Sequence, residues 1–319
     1  MNDLKPKISI VGCGNVGMRY AFALLIKGMA RKIVMVDIDT KKLEGEVMDL
    51  SHSAPFVFPV EIIAGSYSDI IDSNLVVITI GKRQKAGQTR LDIAKDNVDL
   101  FKEIIPKINK YASSAIYLIV SNPVDILSYA TYKFSKKKSS EVIGSGTLLD
   151  SARLRFLLAK RYKIDPRNVH AYILGEHGDT EVPIWSKAMI GGLLLNEYCT
   201  TCNNKFSHGW KEELNHIFEE VRDSAYKIIE RKGETSYGIG LSLVRITQAI
   251  LNDENAILPV SCHINDYLGI NDVYLSLPAI INKEGIHEIL KLNLSLDEQE
   301  SLKKSAKTLK TVLRNIGLN

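Results

Sequence analysis

The sequence predicts an α/β fold in which a doubly wound parallel sheet is followed by a mixed α+β domain. Short β-branched runs alternate with helical or mixed segments through the first half of the chain, a pattern typical of a parallel sheet with helices on both faces. A glycine-rich turn directly follows the first of these runs. In the second half, long helical stretches lie between strand-like pieces. We therefore expect a first domain at residues 1–144 and a second at 145–319.

Length and composition are those of a globular protein. The 319 residues suffice for a large core, with 45% hydrophobic and 24% charged residues. A net charge of +4 without a docking motif argues against nucleic-acid binding. No run reaches the roughly 18 apolar residues that cross a bilayer, and no signal peptide precedes the first strand. The spacing of the four cysteines indicates neither disulfides nor a metal site. Together, these features lead us to expect a cytoplasmic protein that binds no metal and no membrane.

The strand-like run from Lys7 to Val11 leads into the sequence GCGNVG and then into an apolar helical stretch. In such a turn Gly12 allows the tight bend, Gly14 lets the backbone approach a pyrophosphate, and Gly17 lets the helix pack on the strand. The helix N-terminus would hold the phosphates. This context predicts a Rossmann-type dinucleotide site that contains Gly12, Gly14, Asn15, Val16 and Gly17.

A second strand-like run ends at Asp37, twenty residues after Gly17. A carboxylate at this spacing would accept hydrogen bonds from a ribose diol, and it would repel a 2′-phosphate. The sequence therefore predicts NAD rather than NADP as the cofactor.

Polar residues follow the next strands, at the edge of the sheet where ligands bind in such folds. The segment 81–90, which ends in Arg90, is predicted to be a mobile lid, although a solvated basic loop is the alternative. Asn122 stands at a strand tip, where it could hydrogen-bond a ligand or simply form a turn before Pro123.

An acid/base group is predicted in the stretch from Val169 to Pro183, where an apolar run breaks at Gly175 and presents His177. Histidine titrates near neutrality and can pass a proton in either direction. Asp150 and Arg153 share one face of the predicted helix 148–162, which usually indicates a surface ion pair. If Asp150 met His177, the two would form an acid/base unit.

Taken together, five motifs resemble the L-2-hydroxy-acid dehydrogenases, the lactate and malate dehydrogenase family, over nearly the whole chain. The motifs are GCGNVG with Asp37, KAGQTR with Arg90, SNPVD with Asn122, GSGTLLDSAR with Asp150 and Arg153, and GEHGDTEVP with His177. The resemblance implies hydride exchange between a nicotinamide and a small 2-oxo or 2-hydroxy acid.

The resemblance also implies a role for each motif residue. His177 would give or take the proton, and Asp150 would hold its ring. Arg153 would grip the substrate carboxylate through two parallel hydrogen bonds. Arg90 would polarise the carbonyl, and Asn122 would help to position substrate and nicotinamide.

The same resemblance favours lactate over malate. Malate enzymes of this branch usually carry an arginine where this chain has Gln84, and a neutral amide cannot pair with a second carboxylate. Thr235 also matches lactate enzymes. Arg83, next to Gln84, keeps malate open as an alternative, and a larger substrate such as 2-oxoisocaproate is a third.

Arg155 and His170 match positions at which lactate dehydrogenases bind an anion at a subunit interface, and in many bacterial members that anion is fructose 1,6-bisphosphate. The resemblance therefore predicts a homotetramer with an activator site. Two rival classes remain: an NAD-dependent glycosidase, which would need a cysteine near His177, and an NAD-sensing module, which would leave His177 and Arg153 without a role.

Overall fold

The computed structural model describes residues 6–82, 90–201 and 210–318. The strands are β1 Lys7–Val11, β2 Lys32–Val36, β3 Glu61–Ala64, β4 Leu75–Ile78, β5 Ile116–Ile119, β6 Val142–Gly144, β7 Val169–His170, β8 Ile173–Leu174, β9 Val182–Pro183, β10 Met189–Ile190, β11 Leu193–Leu194, β12 Ala256–Ile264, β13 Val273–Asn282 and β14 Gly285–Ile289. The helices are α1 Asn15–Lys27, α2 Thr40–His52, α3 Arg90–Ala112, α4 Val124–Ser135, α5 Leu148–Tyr162, α6 Leu195–Thr201, α7 Trp210–Lys232, α8 Tyr237–Leu251 and α9 Leu296–Asn315.

Within the described ranges, nine strands form one sheet in the order β14-β13-β12-β6-β5-β4-β1-β2-β3. The strands β1 to β6 run parallel, in the order of two βαβαβ halves that meet between β1 and β4. The last three strands add antiparallel pairs at one edge. The prediction of a Rossmann-type parallel sheet followed by a mixed α+β region is confirmed.

The central strands consist of continuous apolar runs, which allows them to be buried on both faces of the sheet. In β1, Ile8 and Ile10 are fully buried, and Ile10 lies between Met35 of β2 and Val77 of β4. A parallel strand covered by helices on both faces needs apolar side chains at nearly every position, not only at alternate ones. The carboxyl ends of these strands point to one edge of the sheet, where the glycine turn and the Asn122 turn follow.

The sheet continues from the first half of the chain into the second, because Ser261 of β12 pairs with Gly144 of β6. A separate apolar cluster lies away from this sheet. It contains Leu154 and Leu158 of α5, Val169 of β7 and Val221 of α7. The division at residues 144 and 145 stays a prediction, since the two halves share one sheet.

One predicted element differs. The sequence predicts an antiparallel section from Pro183 to about Cys199, and β10 and β11 form such a hairpin. The chain then turns into helix α6 at Leu195. The Glu197 carboxylate accepts the Leu194 N–H at 3.1 Å, which stabilises the start of the helix, and Leu195 and Cys199 bury one face of it. Among the described residues, no helix has the length and apolar character of a membrane span.

Candidate active site

The loop that follows β8 is fixed to its surroundings residue by residue. Gly175 has a φ of +90°, which favours glycine, and its N–H and C=O exchange hydrogen bonds of 3.0 and 2.9 Å with Ser276 of β13. A Cβ at Gly175 would lie 2.8 Å from the Ser305 hydroxyl of α9. That hydroxyl accepts the Glu176 N–H at 2.8 Å. The backbone on the N-terminal side of His177 is thus held by both β13 and α9.

His177, Asp150 and Arg153 form one cluster, here named the acid/base cluster. The Asp150 Oδ2 atom lies 2.6 Å from His177 Nδ1, and its Oδ1 atom accepts from Arg153 Nη1 at 2.8 Å. The Asp150 side chain is 4% exposed, whereas those of Arg153 and His177 are 15% and 29% exposed. The carboxylate is therefore the most deeply buried group of the cluster, while the side chains of Arg153 and His177 are partly exposed to solvent.

The charges of the cluster stabilise a protonated imidazole. The negative charge of Asp150 raises the pKa of His177 to about 9, against the opposite effect of burial. Burial alone would raise the pKa of Asp150, but the charges and hydrogen bonds of His177 and Arg153 outweigh it, so the pKa of Asp150 lies below its ordinary value. Near neutral pH the cluster holds a carboxylate and an imidazolium.

Two further carboxyl groups lie close to the cluster, and the sequence analysis missed both. Glu181 is 8% exposed, and its Oε1 atom has no hydrogen-bond partner within the described ranges. Burial raises the pKa of Glu181 to about 8. Asp125 is 2% exposed, and its carboxylate accepts a hydrogen bond from the backbone N–H of His177 at 2.8 Å. Burial raises the pKa of Asp125 to about 7. Both residues lie inside quoted motifs, but spacing alone does not show that their side chains face inward.

The glycine turn has the geometry that a dinucleotide needs. Gly12 has a φ of +101°, and a Cβ there would lie 2.7 Å from the Ile80 nitrogen. A Cβ at Gly17 would overlap the Gly12 carbonyl, so close packing of α1 on β1 requires glycine. At Gly14, by contrast, a Cβ would meet no protein atom within 4 Å, which leaves room for a ligand.

Helix α1 begins without a side-chain cap, since its N-cap residue is Gly14. The first N–H groups, those of Asn15, Val16 and Gly17, therefore lack capping partners and can bind an anion. The Asp37 carboxylate accepts the Cys13 N–H at 2.6 Å, which places it beside the same turn. These residues fit an NAD molecule, with the pyrophosphate at the helix terminus and a ribose at Asp37.

The remaining site residues lie in different surroundings. Asn122 is exposed, and its carbonyl accepts from Asn97 Nδ2 at 3.0 Å, so its turn is anchored while its side chain faces solvent. Thr235 is half-buried just before α8. Gln84, Arg83 and the side chain of Arg90 lie outside the described residues.

Arg155 and His170 line one cavity of about 500 Å³, together with Arg245 of α8. The Arg155 guanidinium donates to the Pro166 carbonyl at 3.4 Å, and its buried Nε atom has no partner within the described part of the chain. The cavity is separate from the acid/base cluster in its lining residues. Nowhere in the described ranges do three or more His, Cys, Asp or Glu residues group as metal ligands.

Family profiles match nearly the whole chain. The NAD-binding domain of lactate/malate dehydrogenase matches residues 6–144, and the α/β C-terminal domain of the same family matches residues 147–317. A protein named L-lactate dehydrogenase from Clostridium botulinum (strain Loch Maree / Type A3) is 49% identical over 309 residues, 97% of this chain and 96% of the relative. Another of that name from Acetivibrio thermocellus is 47% identical over 319 residues, 99% of each chain.

Solved structures show the same likeness. A lactate dehydrogenase from a Medee basin deep-sea metagenome library has a TM-score of 0.93 and 45% identity, covering 98% of this chain and 99% of its own. A minor L-lactate dehydrogenase from Enterococcus mundtii, solved with bound ligands, has a TM-score of 0.94 and 39% identity, covering 99% of both chains. The chain belongs to the lactate/malate dehydrogenase family, and NAD is its cofactor.

Proposed function

We propose that this protein interconverts pyruvate and L-lactate, with His177 as the proton donor and acceptor. The observation that carries the proposal is the acid/base cluster, in which one buried carboxylate contacts both an imidazole and a guanidinium. Support also comes from the relatives above, which are named L-lactate dehydrogenases at 47–49% identity. The reaction converts pyruvate, NADH and one proton into lactate and NAD⁺.

The proton would come from His177. Asp150 accepts a hydrogen bond from the N–H at Nδ1. The second N–H of the imidazolium is therefore at Nε2, directed away from the carboxylate. Nε2 would donate it to the ketone oxygen of pyruvate, and the neutral ring would take it back from the hydroxyl of lactate. NADH, held by the glycine turn and Asp37, would supply the hydride that C2 receives.

Arg153 would orient the substrate. Its Nη1 atom is bound to Asp150, which fixes the guanidinium plane and leaves other N–H groups for the pyruvate carboxylate. Arg90 would stabilise negative charge on the ketone oxygen, and Asn122 would hold substrate and nicotinamide. Arg153→Gln should therefore raise KM for pyruvate most, whereas Arg90→Gln should lower kcat most. Interchanged profiles would contradict these two roles.

The choice of pyruvate over oxaloacetate rests on Gln84 and Thr235. With a neutral amide at Gln84, the second carboxylate of oxaloacetate would be desolvated without a partner, a cost of several kcal/mol, or a discrimination of about 10³. Malate dehydrogenase activity, through Arg83, is the alternative, and a bulkier 2-oxo acid is another.

The decisive experiment follows the loss of NADH absorbance with pyruvate, freshly dissolved oxaloacetate and 2-oxoisocaproate in parallel. We expect kcat/KM for pyruvate to exceed that for oxaloacetate by about 10³. Gln84→Arg should reverse much of this preference, while Gln88→Arg, the same change elsewhere in the segment, serves as the control. A wild-type preference for oxaloacetate would replace the proposal by the malate alternative.

Regulation and assembly form a second part of the proposal. The 500 Å³ cavity is lined by two guanidinium groups, that of Arg155 and that of Arg245, which also pairs with Glu254 at 2.6 Å; with His170 beside them, the lining suits an anion such as fructose 1,6-bisphosphate. We expect a homotetramer by light scattering, and a lower apparent KM for pyruvate when the bisphosphate is added near neutral pH. Arg155→Gln should abolish that response. An unchanged KM in the wild type would remove the activator from the proposal.

We also place the enzyme in the cytoplasm.

A further inference from the structure

We propose that Asp125 is an additional positioning residue, whose carboxylate holds the main chain of His177 and couples it to the Asn122 turn. The inference rests on the proposed function, because it takes His177 as the acid/base group. Asp125 does not touch the reacting atoms, so its effect would pass through His177.

Both oxygens of Asp125 are engaged, each by a different part of the molecule. Oδ2 accepts the His177 N–H at 2.8 Å, and Oδ1 accepts the Ser261 hydroxyl at 2.5 Å. Ser261 is fully buried in β12, where it pairs with Gly144 at the junction of the two halves of the sheet. The buried carboxylate thus connects three segments: the first turn of α4, the loop that contains His177, and strand β12.

These hydrogen bonds of Asp125 fix the position of the His177 loop relative to the Asn122 turn. Asp125 lies three residues after Asn122, in the same turn that leads into α4. Asn122 is proposed to hold substrate and nicotinamide, and His177 to hold the proton. A group that spans both fixes the distance between them, and a displacement of about 1 Å in such a geometry costs about 100-fold in rate.

Neighbouring polar residues on α4 show what a purely structural role looks like. Ser128 and Thr131 are fully buried, and each hydroxyl donates to a carbonyl of its own helix, Val124 and Leu127 respectively, at 2.7 Å. Asp125 instead reaches out of its helix to two other segments. Burial of a carboxylate is costly, so an uncharged residue would serve better if only packing were needed.

Asp125 also contributes to the charge around His177. Asp150 raises the pKa of His177 most, and the ionised forms of Asp125 and Glu181, which are reached at higher pH, raise it further. Other charged groups that act on these carboxyl groups are Glu176 on Asp125, Arg153 on Asp150 and Glu181, and Arg222 on Glu181. Loss of the Asp125 charge should therefore lower the pKa of His177, though less than loss of Asp150 would.

Three variants separate position from charge. Asp125→Ala removes both acceptors, Asp125→Asn keeps an oxygen for the His177 N–H but removes the charge, and Thr131→Val alters a buried hydroxyl of the same helix as a control. With saturating NADH, we expect Asp125→Ala to lower kcat for pyruvate by up to about 100-fold, with KM changed far less. Asp125→Asn should stay within about threefold at acid pH, with its alkaline limb moved to lower pH.

Two readouts do not depend on turnover. NADH affinity, measured by fluorescence, should be the same in all four proteins, and the His177 amide should lose hydrogen-exchange protection in Asp125→Ala but keep it in Asp125→Asn. A kcat of Asp125→Ala within twofold of wild type, or equal losses in the Asn and Ala variants at every pH, would overturn the inference. If the wild type reduced no 2-oxo acid, the proposed function would fail, while the exchange data would still show whether Asp125 holds the His177 amide.

Discussion

Asp150→Asn tests the electrostatic origin of the His177 proton. In the folded protein the pKa of His177 is raised from 6.5 to about 9, chiefly by the charge of Asp150, which corresponds to about 3 kcal/mol. The imidazole is therefore about 90% protonated at pH 8. If the substitution returned the pKa to 6.5, only about 3% would be protonated there, a loss of about 30-fold in the competent form.

The loss of activity in Asp150→Asn should depend on pH. Pyruvate reduction needs the protonated ring, so activity is lost as pH rises through the pKa of His177. At about pH 5.5 both proteins hold the proton, and only misorientation of the ring would remain. The loss of kcat/KM in Asp150→Asn should therefore be about 30-fold larger at pH 8 than at pH 5.5.

The assay measures NADH consumption at saturating NADH and subsaturating pyruvate across that pH range. Asp165→Asn is the matched control, since it removes a surface carboxylate that pairs with Arg167 at 2.6 Å. Its profile should match the wild type. A loss in Asp150→Asn that is the same at both pH values would refute the electrostatic reasoning.

Three further predictions concern stability and cofactor choice. Burial raises the pKa of Glu181 from 4.5 to about 8, so the folded state binds this proton more tightly and loses stability as pH rises through that range. Glu181→Gln should therefore raise Tm by several degrees at about pH 9 and little at pH 4.5, and a larger gain at the acid end would contradict the sign. Gly12→Ala should lower stability by about 2 kcal/mol or more in denaturant melts because of its positive φ and backbone clash, whereas Gly45→Ala, in open space on α2, should be neutral or stabilising. Asp37→Ser should raise kcat/KM with NADPH relative to NADH, and an unchanged ratio would argue against its role at the ribose.

Local patterns predicted the elements that depend on local sequence. The β-branched runs of β1 and β2, the glycine turn between β1 and α1, and the span of α5 all follow from residues close together in the chain. The helix α6 was missed because it depends on Glu197 at its start and on contacts of Cys199 with Tyr162 of α5, which periodicity does not show.

Parts of the candidate site could not be predicted because they join distant segments. Ser276 and Ser305 hold the loop before His177 from β13 and α9, about a hundred residues or more away in sequence. A serine within a strand or helix carries no signal that it will bind such a loop. The two motifs that contain Asp150 and His177 predicted that these residues meet, but the burial of Asp125 and Glu181 depends on the packed interior.

The most direct test of the central claim is a single-turnover measurement on His177→Gln, with enzyme–NADH complex in excess over pyruvate. General acid catalysis contributes about 10²–10⁴-fold, so hydride transfer should slow by that factor while NADH affinity stays unchanged. Hydride transfer at the wild-type rate in His177→Gln would contradict the role of His177 as the proton donor.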